Sequence, residues 1–295
     1  MSSQDETDTR ERGHILERER YDTLIIGPLS LDIMIDYEGN KEALIGGAVI
    51  QSGYAAANTG NRTAIFTKLN NRDADVYQAF AKCSADIYWK SSAETTSIRN
   101  QYFTEDKEKR ECYLLSACDG FEWEELPPIE SKIYHFAGLT AGDFPNEIIK
   151  HASEKGKVAV DVQCLLRKGE VNGEMKFYDW AEKKEYLPYI DFLKTDAAEA
   201  EILTGLTDRE KAAKLLYQWG AKEVMITHNT EVLVYDGEAF WLEDKQSTNG
   251  TYVGDEKITG RVEIQPGQLF RIGRTWLRVE PATNFVPLDA DDLPF

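Results

Sequence analysis

Between Thr23 and Thr227 short apolar runs alternate with segments of helical pattern, and this alternation most constrains what the chain can fold into. Runs such as Thr23-Leu24-Ile25-Ile26-Gly27, Thr63 to Lys68, Lys132 to Phe136, Val158 to Val162, Phe192 to Thr195 and Glu223 to Thr227 read as strands buried on both faces. Helices are expected between them: a small-residue helix after Gly46-Gly47 ending at Gly60, then Asp75 to Lys82, Pro145 to Glu154, Lys176 to Glu185 and Arg209 to Gln218. Such a series predicts an α/β fold with a mostly parallel sheet and helices on both faces, whose ligands bind at the carboxyl ends of the strands. Thr96 to Ala117 alternates polar and apolar residues around a charged turn at Glu105 to Arg110, as strands with one solvent face do.

The pattern ends near Trp241. Beyond it come short strands separated by Gly, Asn and Asp, at Thr251 to Val253, Arg261 to Ile264, Leu269 to Ile272 and Thr275 to Val279. The sequence therefore divides into a charged, disordered tail (1–20), an α/β domain (21–240), an all-β segment (241–285) and an acidic tail (286–295).

With Lys+Arg 34 against Asp+Glu 52, the net charge of -18 argues against nucleic acid or an anionic membrane as partner. The four cysteines, Cys83, Cys112, Cys118 and Cys164, have no metal-ligand spacing and read as free thiols of a reducing, cytoplasmic protein. No apolar run is long enough to span a bilayer.

Several motifs in order carry a resemblance to a known family. These are Gly27-Pro28-Leu29-Ser30-Leu31-Asp32 after the first strand, the Gly46-Gly47 turn with Gln51 four residues on, the Asp161 to Arg167 stretch at a strand end, Asp196-Ala197-Ala198-Glu199, and Thr227-His228-Asn229. Together they resemble the ribokinase-like (PfkB) carbohydrate kinases over residues 21–240. The resemblance implies a small β lid, built from Ile35 to Leu44 and Thr96 to Ala117, over a sugar or nucleoside held by Asp32, Gly46, Gly47 and Gln51. A carboxylate suits this role because it accepts from two vicinal hydroxyls at once; a turn or capping Asp is the plainer reading of Asp32. Gln51 stands where the family has Asn, and Gln163 likewise. The resemblance further implies ATP and Mg2+, with Lys194, Asp196, Glu199 and Thr227 on the nucleotide and phosphate side and Glu199 as the metal residue. Asp196 and Glu199, three apart on one helical turn, equally suit an acidic helix N-terminus. His228 reads as a surface residue.

The family's Gly-Ala-Gly-Asp turn, which carries the catalytic base and a helix N-terminal anion hole, has no clear counterpart, and its terminal helices are missing. Ala141-Gly142-Asp143 precedes Asp161 and reads as an ordinary strand-to-helix loop. Gly254-Asp255 lies near the expected place but is followed by strand-like residues, which leaves Asp255 a poor candidate base.

Asp244, Ser247-Thr248-Asn249-Gly250-Thr251-Tyr252-Val253, Ile258 and Pro266 to Gly273 resemble the C-terminal half of a forkhead-associated (FHA) domain, a sandwich that binds phosphothreonine peptides. Thr248 and Asn249 hold the peptide-facing places, although Asn-Gly is also a plain hairpin turn. The FHA half that carries the phosphate-gripping Arg is not recognisable. Two functions are open: an ATP-dependent sugar or nucleoside kinase with impaired transfer, or a non-catalytic chimera with an FHA-like recognition segment.

Overall fold

The computed structural model describes residues 19–73, 75–105, 109–228, 231–237, 240–244, 250–265, 268–272 and 275–278. Thr248 and Asn249 lie outside these, as do Asn229, residues 1–18 and the acidic tail; Arg20, placed in the first tail by sequence, instead begins a strand.

In chain order β1 (Arg20–Ile26) leads into β2 (Ser30–Ile35) and β3 (Lys41–Gly46), then α1 (Ala48–Ala57) and β4 (Thr63–Leu69). Next come α2 (Val76–Ala79), β5 (Asp86–Ser91), the hairpin β6 (Thr96–Tyr102) and β7 (Arg110–Ser116), and β8 (Glu130–Phe136). After them stand α3 (Glu147–Ser153), β9 (Lys157–Asp161), α4 (Gln163–Leu166), and the short strands β10 (Arg167–Gly169) and β11 (Met175–Phe177). The α/β part closes with α5 (Lys183–Tyr186), β12 (Phe192–Asp196), α6 (Ala197–Thr204), α7 (Arg209–Gln218) and β13 (Glu223–His228). Every helix or strand described after Gln218 is a strand: β13, then β14 (Glu231–Tyr235), β15 (Phe240–Glu243), β16 (Thr251–Val253), β17 (Glu256–Lys257), β18 (Arg261–Ile264), β19 (Leu269–Ile272) and β20 (Thr275–Arg278).

The main sheet has the order β18-β15-β14-β13-β12-β9-β8-β1-β4-β5. From β13 to β5 all neighbours are parallel, as the βα alternation predicts. On one face Leu24, Phe66, Phe136, Val160, Leu193 and Ile226 pack under the helices, which contribute Ile148, Ala200, Ala213 and Leu216. On the other, Ile25 and Ile65 are covered by Val49 of α1 and by Val76 and Phe80 at α2. Helices therefore cover both faces.

A second sheet, β3-β2-β6-β7, forms the lid, with its two hairpins joined by parallel β2 and β6. One expected helix is absent: Lys176 to Glu185 instead supplies β11 and the single turn α5. The preceding Asn172-Gly173 turn, with Gly173 at φ +84, folds β11 back on β10. That Asn-Gly turn is a hairpin signal stronger than the helical spacing after it.

β14, β15 and β18 extend the main sheet antiparallel to β13, while β17-β16-β19-β20 form a separate antiparallel sheet. Leu242, Ile258, Ile264 and Phe270 are buried together, with Leu233, Tyr235, Val253 and Val262 against them. The terminal segment is thus a small sandwich, one sheet of which continues the α/β sheet.

All four cysteines are free. No helix among the described residues is long and apolar enough to cross a membrane.

Candidate active site

A cleft of about 310 Å³ opens between the lid and the carboxyl ends of the parallel strands. Asp32 from β2, Gly47, Gln51 from α1 and Lys194 from β12 all line it. Residues far apart in sequence meet there because the lid strand β2, the start of α1 and the end of β12 all come to this edge of the sheet.

The Asp32 side chain faces inward from the lid, and its Oδ1 is buried without a hydrogen-bond partner. Burial pushes the Asp32 carboxyl above its ordinary value, opposed by the nearby Ser30 hydroxyl, which makes no well-formed hydrogen bond, and by the Arg167 charge. A buried acceptor left unpaired costs about 1–3 kcal/mol, so the site is built to receive a donor. Both glycines are needed for this geometry. A Cβ on Gly46 would lie 2.5 Å from Asp32 Oδ2, and Gly47 has φ +108 with its Cβ position 2.5 Å from Pro28 O.

Asp161, Gln163 and Arg167 line the same cleft. Lys194 Nζ stands 3.2 Å from Asp161 Oδ2, and Gln163 donates from Nε2 to Gly138 O at 3.0 Å. The lid contributes Asn100 and Arg110, which motif reading did not single out. Their only sequence signal is their place on alternating strands around the charged turn.

Of the residues that the resemblance puts on the nucleotide and phosphate side, Asp196 and Thr227 are direct neighbours in the β12–β13 register. Asp196 and Glu199 cap α6 reciprocally: Glu199 N–H donates to Asp196 Oδ1 at 2.7 Å, and Asp196 N–H donates to Glu199 Oε2 at 2.8 Å. Burial pushes the Glu199 carboxyl up to about 7, against the bond from the Asp196 amide. One oxygen of each carboxylate is thus spent on the helix end. Among the described residues no group of three or more His, Cys, Asp or Glu comes together to hold a metal. The pair fits a capping box and does not by itself make a chelating set for magnesium, so the helix-end reading of Glu199 accounts for its position.

Asp255 does not reach the cleft. With Gly254 at φ +60 it forms the exposed two-residue turn between β16 and β17, paired Val253 with Glu256, and no helix follows it among the described residues to offer amide donors. Asp143 is a loop-organising residue: its carboxylate accepts from Leu139 N–H, Thr140 N–H and the Thr140 hydroxyl. His228 is exposed at the end of β13. A larger cavity, about 820 Å³ beside Arg20, Leu126, Glu130 and Lys155, lies at the opposite end of the sheet and includes none of these residues.

The chain is 30% identical, over 76% of its length and 79% of the other's, to a pyrophosphate-dependent kinase of the ribokinase family solved with a pyrophosphate analogue and myo-inositol, at a TM-score of 0.70. The chain belongs to the ribokinase family. A sulfate complex of a pyrophosphate-dependent kinase in the family aligns at 31% identity over 77% of this chain and 81% of that one, with TM-score 0.70. Cytidine kinase of Thermococcus kodakarensis is 25% identical over 73% of this chain and 76% of its own. Arabidopsis thaliana ribokinase with ribose and ATP, at 14% identity and a TM-score of 0.54 over 76% and 78% of the two chains, shares the fold. The FHA domain family matches residues 231–273. That match begins at β14, ten residues before the composition changes, so the strand paired antiparallel to β13 in the main sheet is also the first of the FHA match.

Proposed function

We propose that this ribokinase-family protein binds a small polyhydroxylated acceptor, a sugar, inositol or nucleoside, under its lid, and that phosphoryl transfer to it is severely impaired. The observation that carries the binding reading is the buried, unpaired Oδ1 of Asp32 facing a cleft lined by further polar groups. For the donor, likeness to pyrophosphate-dependent kinases at 30% identity or more supports pyrophosphate; ATP, bound in the more distant ribokinase complex, is the alternative, with the Mg2+ that the family resemblance implies. Free thiols agree with a reducing, cytoplasmic setting.

Impairment rests on the terminal part of the chain. All described elements beyond β13 are strands, so they present no helix N-terminus whose amides stabilise a transferring phosphoryl group. A positioned base contributes about 10²–10⁴-fold and an anion-hole donor about 10²–10³-fold. Calorimetry with myo-inositol, pentoses, hexoses and nucleosides is expected to show a ligand whose affinity falls at least about tenfold in Asp32→Asn, the effect of one charge-assisted bond. Equal binding by that variant to every ligand would remove the assignment. Turnover with pyrophosphate or ATP is expected to lie far below the median of about 10 s⁻¹ and to be insensitive to Asp255→Asn. Acceptor-dependent turnover of about 1 s⁻¹ or more, lost in Asp255→Asn, would reverse the reading.

The FHA match favours a second reading, phosphothreonine recognition, for the terminal sandwich. Because the segment resembles only the C-terminal half of that domain, and its first strands belong to the main sheet, phosphopeptides are expected to bind no tighter than about 10 μM. A tighter, phosphate-dependent ligand lost in Asn249→Ala would show a complete recognition site.

A further inference from the structure

The lid sheet β3-β2-β6-β7 hangs from the α/β body by four connections, residues 27–29, 47, 92–95 and 117–122. Two of them are tied to each other across the hinge, where Asp119 N–H donates to the Ser92 hydroxyl at 2.8 Å and Ala93 N–H to Asp119 Oδ2 at 3.2 Å. These connections leave the outer edge of β7 uncovered, and a strand edge presents a row of unpaired amides and carbonyls. A piece of the body reaches that edge.

The β10–β11 hairpin springs from beside the cleft. Its first residue, Arg167, is anchored by Nε donating to Leu139 O at 3.0 Å and by its own carbonyl, which accepts from Ala141 N–H at 2.7 Å. Just beyond β11, Tyr178 N–H donates to Leu166 O at 2.8 Å. The far end meets the lid: Gly173 O accepts from Leu114 N–H at 2.8 Å, and Glu174 forms an isolated antiparallel bridge with Tyr113. Leu114 lies across two glycines, since a Cβ on Gly169 would stand 2.9 Å from its Cδ2 and a Cβ on Gly173 would stand 2.9 Å from its carbonyl oxygen. The hairpin is therefore bare where the lid rests on it. Val171, at the turn, is fully exposed.

We propose that the β10–β11 hairpin is a releasable strap on the lid. Fastened to β7, it keeps the lid residues Asp32 and Asn100 across the cleft from Asp161 and Arg167; unfastened at Leu114, it lets the lid swing away. One backbone hydrogen bond biases an equilibrium by only about 2–12-fold, and the Leu114 contact adds to that. The bridge thus keeps one posture dominant and still opens on thermal fluctuation. A ladder of several such bonds would make lid and body one rigid piece. Leu114 also stands close to the connection at 117–122, where a small displacement swings the far end of the lid most. The strap is independent of which ligand the cleft takes, because none of Tyr113, Leu114, Gly173 and Glu174 lines it.

The test is amide hydrogen exchange, read by mass spectrometry, on the full chain without ligand. Gly169→Val puts a side chain where Leu114 rests. It is expected to speed exchange of residues 110–116 and of the connections 92–95 and 117–122 about tenfold or more, with β8 and β9 of the body unchanged. Adding Leu114→Ala makes room again and is expected to restore most of the wild-type protection. Leu114→Cys with Gly169→Cys gives the converse, because the two Cβ positions stand 3.0 Å apart, a small shift from the roughly 3.5–4.5 Å of a disulfide. With that crosslink confirmed by peptide mapping, oxidation is expected to slow exchange of the connections about tenfold relative to the same chain reduced. The cysteine pair decides the question if Gly169→Val exchanges faster throughout, body strands included, as a globally destabilised chain does. Connections that exchange at the wild-type rate in Gly169→Val, with any change confined to residues 110–116, overturn the strap. So does equal exchange in the oxidised and reduced double-cysteine chain.

Discussion

Glu125→Ala is expected to destabilise the protein by about 3 kcal/mol, the lower end of the cost of removing one partner from a buried ion pair. Lys68 is 3% exposed on β4, where its ammonium donates to Glu125 and to Gly120 O and lies over the Phe121 ring. Without Glu125 a charge would remain in the core with a single carbonyl for company. The lower end applies because the Glu125 side chain is 22% exposed, so water partly replaces the lost carboxylate. Lys90, at 2.8 Å from Glu125 Oε1, would lose its partner too, but it is exposed and adds little. For a chain of this size such a loss lowers Tm by roughly 6–12 °C. Lys68→Met with Glu125→Leu is expected to recover most of the stability, because apolar replacement of both members removes the desolvation cost. A loss under about 1 kcal/mol in Glu125→Ala would show that water already solvates Lys68.

Glu199→Gln is expected to stabilise the protein above neutral pH and to flatten its stability profile below it. Burial raises the Glu199 carboxyl from its ordinary 4.5 to about 7. The folded state therefore holds a proton that the unfolded state has lost between those values, and stability falls as pH rises from about 4.5 to about 7. The full penalty, about 3 kcal/mol at most, applies above that window. Glutamine keeps an oxygen for the Asp196 amide and never ionises, so urea unfolding at pH 8 should favour the variant and at pH 4 show little difference. Glu125 shifts the opposite way. Burial works to raise it, but hydrogen bonds from Lys68, Lys90 and the Glu122 amide hold it at about 2. Its contribution is present above about 4.5 and lost as pH falls toward 2. These two groups together place the wild-type maximum near pH 4.5, where the two windows meet, and a Glu199→Gln profile as steep as wild type above pH 5 would refute the buried-carboxyl argument.

Much of the candidate site was legible in order along the chain. Asp32, Gly46, Gly47 and Gln51 sit at or beside the cleft, because a strand end followed by a glycine turn and a small-residue helix puts them at one edge of the sheet. The donor-side motif was legible as residues but not as roles: Asp196 and Glu199 resemble a binding motif and also satisfy a helix end, and only the two reciprocal bonds show how their oxygens are used. Arg110 was invisible as a site residue. A charge beside a charged turn looks solvated until the lid's curvature turns its face toward the cleft.

Local patterning was enough to specify the parallel α/β layers, the lid strands and the change to β structure in the terminal part, since burial on one or both faces leaves a period in the chain. Pairing partners leave no such period. That β14 and β15 prolong the kinase sheet rather than stand apart, that Lys68 is buried against a carboxylate 57 residues away, and that Asp255 ends in an exposed turn were decided by tertiary contacts alone. Edge pairing, charge compensation and the facing of a lid depend on groups distant in sequence, and their free energies arise only when the folded chain brings them together.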